Sequence, residues 1–270
     1  MNNCYKIKTI NKNKGVFDNS IDATYIIYLE GNIKRLNSIK EQLSNITPTK
    51  KIHILINKGW RKSKKNSYIT NTAKDLVDCN ITCFRHAKKY NYNNILILED
   101  DFIFDNINNF DSSIINNFLK DNINNKISFY LGTLPFVFIP YSKYIYRGII
   151  NIYTHSVVFT KKIREDILNY NYKTIFCWDI FQNYYNYNKY YYHKPLCFQI
   201  IEETDNSKNW PVFSFIRILW FRLVYLLNAN IKPKLFFKLI YILSYVISIS
   251  FLAILLYILY FLKFKIPHIL

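Results

Sequence analysis

A short buried strand that ends in three carboxylates constrains this chain more than any other segment. Residues 94–102 read NILILEDDF. Four consecutive apolar residues, 95–98, are too few for a helix and are typical of a strand buried on both faces. Glu99, Asp100 and Asp101 cannot lie inside such a strand, because an uncompensated buried charge is costly. We therefore expect them at its carboxyl end, which is where ligands bind in open α/β sheets.

This acidic strand end has two interpretations. Adjacent carboxylates repel one another and resist ionisation unless a counter-charge lies near them. A divalent cation that carries phosphate oxygens is one natural counter-charge. An acidic turn on a solvated surface is the other interpretation, and this segment alone does not decide between them.

The surrounding sequence alternates strands with helices. Strands are predicted at 23–29, 51–57 and 126–133, and a helix from about 72 to 90 precedes the acidic strand. Asn32 is placed to cap an earlier helix. This β-α-β-α-β order predicts an α/β fold with a mostly parallel, twisted sheet flanked by helices. The later predicted elements are one strand and two helices (151–159, 161–170 and 177–186).

Residues 239–262 form a long apolar segment without a charged residue. As a helix they would extend roughly 36 Å at about 1.5 Å per residue, enough to cross a hydrocarbon core of about 30 Å. Lys238 and Lys263 bracket the segment, and tyrosines lie towards both ends, as interfacial anchors do. The sequence therefore predicts a C-terminal transmembrane helix.

The preceding segment, 213–228, is almost as apolar but carries Arg217 and Arg222. Each arginine would cost about 2.5–3.5 kcal/mol inside a bilayer, so an interfacial helix is favoured and a second span is the alternative. Basic residues are more numerous before the apolar segment than after it. The positive-inside rule then predicts a single-pass membrane protein whose N-terminal domain lies in the cytosol.

The composition narrows the function classes. A net charge of +18 favours nucleic acid, an anionic membrane or nucleotide phosphates as partners. The sequence contains no recognition helix, zinc-finger spacing or RNA-binding aromatic signature, so nucleic acid is not the expected partner. With 5 glycines, it has neither a Walker motif nor a Rossmann fingerprint. Cys79 and Cys83 lie four apart and are interpreted as core residues rather than metal ligands.

Four segments, taken in order, resemble one known family. Residues 25–43 (YIIYLEGNIKRLNSIKEQL) are similar to its opening strand, turn and helix. Residues 78–101 resemble its Cys-x-x-Ser-His helix, which leads into an LEDD strand. Residues 152–168 resemble its later strand and helix, and HKPLCFQ (193–199) resembles its Pro-Pro-Leu-x-x-Gln segment. The family is glycosyltransferase family 25, the lipooligosaccharide and collagen galactosyltransferase type.

The resemblance covers about residues 23–207 and implies a GT-A-like glycosyltransferase domain there. An N-terminal extension (1–22) would precede this domain. A linker with the interfacial helix (208–234) would follow it, and the transmembrane helix with a short tail (235–270) would come last.

The resemblance also implies a metal site. Asp101 and Asp100 would hold Mn²⁺ or Mg²⁺, which clamps the diphosphate of a nucleotide sugar and offsets charge on the leaving group. His155 and His193 are further candidates for the metal or diphosphate. For each histidine, however, a satisfied structural role is the favoured interpretation.

Other residues of these segments would bind the donor. Arg35 could hold the nucleotide phosphates as a planar donor, with a solvated helix charge as the equally weighted alternative. Tyr28 and Leu29, at the end of the first predicted strand, would lie near the base. On the resemblance alone, Gln199 would contact donor or acceptor. The full donor-binding set is Tyr28, Leu29, Arg35, Glu99, Asp100 and Gln199.

An inverting transfer requires a carboxylate that takes the proton of the acceptor hydroxyl. Asp179, inside the apolar FCWDIF, is the candidate for this catalytic role, and a helix-capping Asp is the alternative. These assignments predict a membrane-anchored glycosyltransferase, a hexosyltransferase in kind. It would move sugar from a nucleotide-sugar donor to a glycan, lipid-linked or protein acceptor.

The sequence also departs from the family pattern. Asp78 stands in place of a glycine, and Thr82 and Cys83 replace the Ser-His pair. These departures leave an alternative open, in which the chain is a catalytically inactive, membrane-attached scaffold that retains the fold.

Overall fold

The computed structural model of the protein describes residues 4–186, 188–202 and 214–265. Nine strands lie in these ranges: β1 (Tyr5–Asn11), β2 (Ala23–Leu29), β3 (Lys51–Asn57), β4 (Asn94–Glu99), β5 (Phe102–Phe104), β6 (Ser128–Pro140), β7 (Ile145–Thr160), β8 (Lys189–Tyr192) and β9 (Cys197–Gln199). The helices are α1 (Ile33–Asn45), α2 (Thr72–Lys89), α3 (Asn109–Asp121), α4 (Lys161–Asn169), α5 (Trp178–Tyr185), α6 (Ser214–Leu226) and α7 (Pro233–Lys265). A short 3₁₀ turn, Tyr172–Thr174, precedes α5.

Seven strands form one sheet in the order β1-β3-β2-β4-β7-β6-β8. The pairings of β2 with β3, β2 with β4 and β6 with β8 are parallel. The strand β7 is antiparallel to both β4 and β6, and β1 is antiparallel to β3. Five of the strands therefore run in one direction, and only β1 and β7 run the other way. A second sheet pairs β5 with β9.

Helices cover both faces of the large sheet. On β2, Ile26 and Tyr28 point to one apolar cluster, and Tyr25 and Ile27 point to the other. The first cluster contains residues of α1 and α3, and the second contains residues of α2, α4 and α5. The predicted α/β class, with a mostly parallel sheet flanked by helices and a C-terminal apolar helix, is confirmed.

The helix starts follow local capping. The side chain of Asn32 accepts a hydrogen bond from the Arg35 backbone N–H at 3.1 Å, as predicted from the sequence. Asn71 caps α2 in the same way through Lys74, at 2.9 Å. Cys79 and Cys83 on α2 are fully buried among apolar side chains, which agrees with their interpretation as core residues.

The strand β1 and the helix α3 are among the elements that were not predicted from the sequence. The strand β1 adds an edge to the sheet within the segment interpreted as an N-terminal extension. Its lysines, Lys6 and Lys8, are typical of an edge strand that must not pair with another molecule. The helix α3 is flanked by two Asn-rich tracts, 105–110 and 121–126, and Asn108 caps it through the Asp111 backbone N–H at 2.9 Å.

The C-terminal helix α7 has two parts. By length and composition alone, Pro233–Phe261 could cross a membrane, and its most apolar stretch of 18 residues has a mean hydropathy of 2.5. Its first half packs along β6, where Ser244 donates a hydrogen bond to the Pro135 carbonyl. One turn later, the Phe138 N–H donates to Ser248 Oγ at 3.1 Å. Beyond Ser248 the described side chains are exposed up to Phe261.

Candidate functional site

A cleft of about 260 Å³ lies at the carboxyl end of β4. Its lining brings together seven of the residues that the sequence singled out: Leu29, Arg35, Glu99, Asp100, Asp101, Asp179 and Gln199. These residues come from the ends of β2, β4 and β9 and from the first turns of α1 and α5. Parallel strands place their carboxyl ends at the same edge of a sheet, so the cleft lies where an open α/β sheet places its ligands.

The pairing of β2 with β4 fixes Asp100 at this edge. Ile27 lies opposite Glu99 in the parallel register, so the ends of the two strands are adjacent. The Leu29 backbone N–H then donates a hydrogen bond to Asp100 Oδ2 at 3.2 Å. Burial raises the pKa of the Asp100 carboxyl, while this hydrogen bond and the nearby Arg35 oppose that rise.

Arg35 points into the cleft from the first turn of α1. Its Nη2 lies 3.6 Å from Asp101 Oδ2, and its Nε lies 4.0 Å from Asp100 Oδ1. Glu202 also approaches it, with Oε2 3.6 Å from Nη2. Only 8% of Arg35 is exposed, which distinguishes it from the solvated helix charge that was the alternative interpretation. Among the described lining residues it is the only cationic side chain.

One carboxylate oxygen of Asp101 is hydrogen-bonded, and the other has no hydrogen-bond partner. Gln199 lies opposite Phe102 in the small sheet, and its Nε2 donates to Asp101 Oδ2 at 3.0 Å. The other carboxylate oxygen, Oδ1, is buried and has no hydrogen-bond partner. Burial raises the pKa of this carboxyl to about 6, although Arg35 opposes the shift. An unpartnered buried carboxylate oxygen is costly unless a ligand compensates it.

Glu99 and Asp179 complete the acidic group. Burial raises the pKa of Glu99 well above its usual range, and the charges of Asp101, Asp179 and Asp100 raise it further. Asp179 is the second residue of α5, whose N-cap is Cys177, so it is not the capping residue considered as the alternative. Its carboxylate accepts a hydrogen bond from Thr154 Oγ1, and burial raises its pKa.

We call Glu99, Asp100, Asp101 and Asp179 the cleft carboxylates. Their oxygens are ligands that Mg²⁺ or Mn²⁺ prefers, and Asp101 Oδ1 lacks a partner, so the residues fit a hard divalent cation. Within the described ranges, however, no three acidic, His or Cys side chains converge closely enough to hold a metal by themselves. A cation here would complete its coordination with oxygens of a bound molecule, as Mg²⁺ commonly does with substrate phosphates.

Three of the sequence candidates do not line the cleft. Tyr28 faces α1, where its hydroxyl donates to the Asn32 carbonyl at 3.2 Å. His155 is fully buried beside Phe237, and its Nε2 lies 3.2 Å from the Cys197 carbonyl. Burial lowers the pKa of His155 to about 4, so it is neutral at physiological pH. His193 packs between Tyr144 and Tyr192, and burial lowers its pKa as well.

The sequence did not reveal several lining residues. Tyr153 has a backbone φ of 63°, a left-handed conformation that costs energy in a residue other than glycine. Its hydroxyl accepts a hydrogen bond from Trp220 Nε1 of α6 at 3.2 Å. Phe221, the next residue of α6, lines the cleft itself. Because these contacts join distant segments, no local pattern could have predicted them.

A second cavity of about 200 Å³ shares Leu29, Leu76, Glu99 and Asp100 with the cleft. Its far side contains Asp75, whose Oδ2 accepts from Asn57 Nδ2 at 3.0 Å and whose Oδ1 is bound by Lys65.

One turn along α2, Asp78 accepts hydrogen bonds from the hydroxyls of Tyr5 and Tyr68. We call Asp75 and Asp78 the paired carboxylates, because described side chains on β1, β3 and the following loop satisfy both of them.

Comparison with known proteins adds little to this geometry. No family model matches the sequence, and no curated protein sequence does either. One solved structure that is similar to this chain is a glycosyltransferase involved in the glycosylation of the major capsid of PBCV-1. The match covers 61% of this chain and 74% of that one, with 13% sequence identity and a TM-score of 0.34. A likeness this weak assigns no activity.

Proposed function

We propose that this protein is a membrane-anchored, metal-assisted glycosyltransferase that uses a nucleotide-sugar donor. The observation that carries the proposal is the cleft at the carboxyl edge of the sheet. There, the four cleft carboxylates and Glu202 face a single guanidinium among the described lining residues, and the buried Asp101 Oδ1 has no partner. The ordered resemblance to glycosyltransferase family 25 and a GT-A-like fold supports the same proposal.

In this proposal Asp101 and Asp100 hold the cation, and Mn²⁺ or Mg²⁺ supplies charge stabilisation for a leaving nucleoside diphosphate. Arg35 binds the phosphates on the same side, since its guanidinium already lies beside both carboxylates. Leu29 and Glu99 lie at the strand ends, where base and ribose would contact the cleft. Gln199 orients Asp101 through their hydrogen bond.

Asp179 acts as the base that takes the proton of the acceptor hydroxyl. Its burial raises its pKa, and a raised carboxylate pKa makes it a stronger proton acceptor near neutral pH. The hydrogen bond from Thr154 fixes its orientation towards the cleft.

The decisive experiment is incubation of the purified full chain with a panel of nucleotide sugars and Mn²⁺ or Mg²⁺, with or without glycan, lipid-linked and protein acceptors. We expect metal-dependent release of nucleoside diphosphate with at least one donor. Absence of release with every donor would overturn the enzymatic proposal.

The orientation of the anchor is tested separately. If α7 crosses the membrane with the basic side inside, the N-terminal domain lies in the cytosol. Protease should then digest this domain on sealed microsomes. Protection of the domain would instead place it in the lumen.

An inactive scaffold is the second candidate, and one contact favours it. Arg35 lies 3.6 Å from Asp101 and could serve as a permanent internal counter-charge in place of a metal. Calorimetric titration with UDP and Mn²⁺ separates the two functions, because a scaffold of this kind would show no metal-dependent nucleotide binding. Asp101→Asn is the matched control in that titration.

A further inference from the structure

The end of the β6–β7 hairpin and the helix α7 lie side by side. The rings of Phe138 and Tyr245 meet at 4.8 Å, and Phe138 also bonds to Ser248. Near the other end of this contact, the ring of Phe237 meets His155 of β7 at 5.6 Å. The helix therefore runs alongside β6 towards the turn of the hairpin. Ser248 of α7 lies beside Phe138 of β6.

The freely exposed part of α7 is too short to cross a bilayer by itself. It begins after Ser248, and the apolar run ends at Lys263. That interval extends only about 20 Å at about 1.5 Å per residue, against a hydrocarbon core of about 30 Å. A bilayer spanned by α7 must therefore begin near Ser244, which is bonded to Pro135 of β6. The hairpin beyond Pro135 would then lie at the boundary between the headgroups and the acyl chains of the near leaflet.

The end of the hairpin has the amino-acid composition of a segment that lies at a membrane–water interface. Its exposed side chains include Ile139, Tyr141, Ile149 and Ile150. Exposed Lys143 lies at the turn, with its ammonium 5.1 Å from the centre of the Tyr144 ring. Apolar, tyrosine and basic residues together are typical of segments that lie in the headgroup region.

The charge pattern favours an anionic bilayer over a neutral one. Residues 127–164, which contain the hairpin, include neither Asp nor Glu, and neither do residues 214–265. Lysines and arginines supply all formal side-chain charge in both segments. Each basic residue near an anionic membrane surface contributes about 1 kcal/mol of attraction.

We propose that the hairpin end, residues 139–150, is a second membrane-contact element that lies in the headgroup interface of an anionic phospholipid bilayer beside α7. This inference rests on the membrane anchor of the proposed function and is independent of catalysis. Because β6 runs in the same direction as β4, the hairpin extends from the edge of the sheet that holds the cleft. The contact thereby orients the cleft towards the bilayer.

The test measures depth in the membrane at three matched positions. Single cysteines replace Ile139 on the hairpin, Leu256 on the exposed part of α7, and Tyr90 at the opposite edge of the sheet. These residues are 54%, 57% and 53% exposed, respectively. The background is Cys177→Ser, since the other four native cysteines are buried. Each full-length variant carries an environment-sensitive fluorophore in vesicles of phosphatidylcholine and phosphatidylserine.

Bromine on the lipid acyl chains quenches a fluorophore that lies in or near the bilayer. We expect strong quenching and a blue shift at Leu256, intermediate quenching with a blue shift at Ile139, and neither at Tyr90. A label at Ile139 that is quenched no more than the label at Tyr90 overturns the hairpin contact. The same result at Leu256 overturns the anchor, and the proposal with it. Energy transfer between Ile139 labels that rises with protein density, without quenching by the lipid, would assign the hairpin to a second copy and also overturn the proposal.

No step of this test requires turnover. If the native chain transfers no sugar but the labelled variants show the expected quenching, the hairpin contact is retained and the enzymatic proposal is lost. If the native chain transfers sugar and the label at Ile139 is not quenched, the enzymatic proposal is retained and the hairpin contact is lost.

Discussion

The paired carboxylates and the cleft carboxylates lie close together at one edge of the sheet, but they are compensated very differently. Asp75 is bound by Lys65 and Asn57, and Asp78 accepts hydrogen bonds from Tyr5 and Tyr68. In the cleft, the four cleft carboxylates and Glu202 have one guanidinium among the described lining residues. Both groups contain buried acidic residues. Only the cleft carboxylates lack enough hydrogen-bond donors and counter-charges to compensate them.

This difference separates a structural role from a binding role. A buried ion pair whose hydrogen bonds are satisfied has no remaining need for a ligand, and removal of one partner is destabilising. A cluster of like charges with an open oxygen gains free energy when a cation binds. Four predictions test this distinction with three variants, and stability is measured for each variant.

The largest expected effect is that of Asp101→Asn on turnover. The substitution keeps the shape of the side chain and removes its charge, so the cleft loses a ligand for the cation. Loss of ion-assisted stabilisation should reduce the transfer rate about a thousandfold or more, which is several kcal/mol of barrier. Donor turnover and thermal unfolding are measured on the same preparation. Wild-type turnover would contradict the metal assignment.

Asp75→Asn should lower the stability of the protein, whereas Asp101→Asn should mainly lower turnover. Lys65 would remain in place with a side chain only 3% exposed and no carboxylate beside it. Removal of one partner from a buried pair typically costs about 3 kcal/mol or more of unfolding free energy. Chemical denaturation of this variant beside Asp101→Asn measures the contrast. If the free energy of unfolding falls equally in the two variants, the cleft carboxylates are as well compensated as the paired carboxylates.

The pH dependence of stability provides a third comparison. The folded pKa of Asp101 is about 6, above the ordinary value of about 3.9 for an aspartate. Its contribution to stability is therefore fully present below about pH 4 and is lost as the pH rises through 6. Asp101→Asn cannot titrate, so its stability relative to wild type should increase by up to about 2–3 kcal/mol between pH 4 and pH 7. Denaturation at several pH values measures this gain, and a constant difference would contradict the raised pKa.

The smallest effect is expected for Tyr68→Phe. The hydroxyl of Tyr68 donates to Asp78 Oδ1, while Tyr5 donates to the other oxygen. Loss of one hydrogen bond to a charged group should reduce stability by about 1–2 kcal/mol. The control is Tyr90→Phe, a half-exposed tyrosine at the C-terminal end of α2. If both variants unfold at the same denaturant concentration, the hydrogen bond contributes nothing measurable.

Much of the fold could be predicted because its central strands are locally distinct. The runs ATYIIYL and NILILE are apolar enough to identify strands that are buried on both faces. Edge strand β1 and helix α3 could not be predicted in this way. The alternating pattern of YKIKTIN is weak, and Asn-rich flanks conceal the apolar positions of α3.

In the candidate site, too, some residues could be predicted from local sequence, and others depend on packing between distant segments. The carboxylates of β4 follow directly from the end of a buried strand, and Arg35 follows from the helix that Asn32 caps. The hydrogen bond between Tyr153 and Trp220 depends on how α6 packs against β7, which periodicity does not encode. His155 was considered as a ligand because it lies in an otherwise apolar strand, although a structural role was favoured. The structure places it in the core, with a carbonyl as its partner.

The position of Phe221 in the chain has a consequence for biosynthesis. Of all the described residues that line the cleft, it is the last to be synthesised, and the apolar helix α7 follows within a few residues. Domains generally fold as units, and the N-terminal part folds first during synthesis. The strands and carboxylates can therefore assemble on the ribosome while the cleft still lacks one of its sides. The nascent chain completes its cleft only when α6 emerges, so maturation of the site coincides with delivery of the hydrophobic helix that follows it.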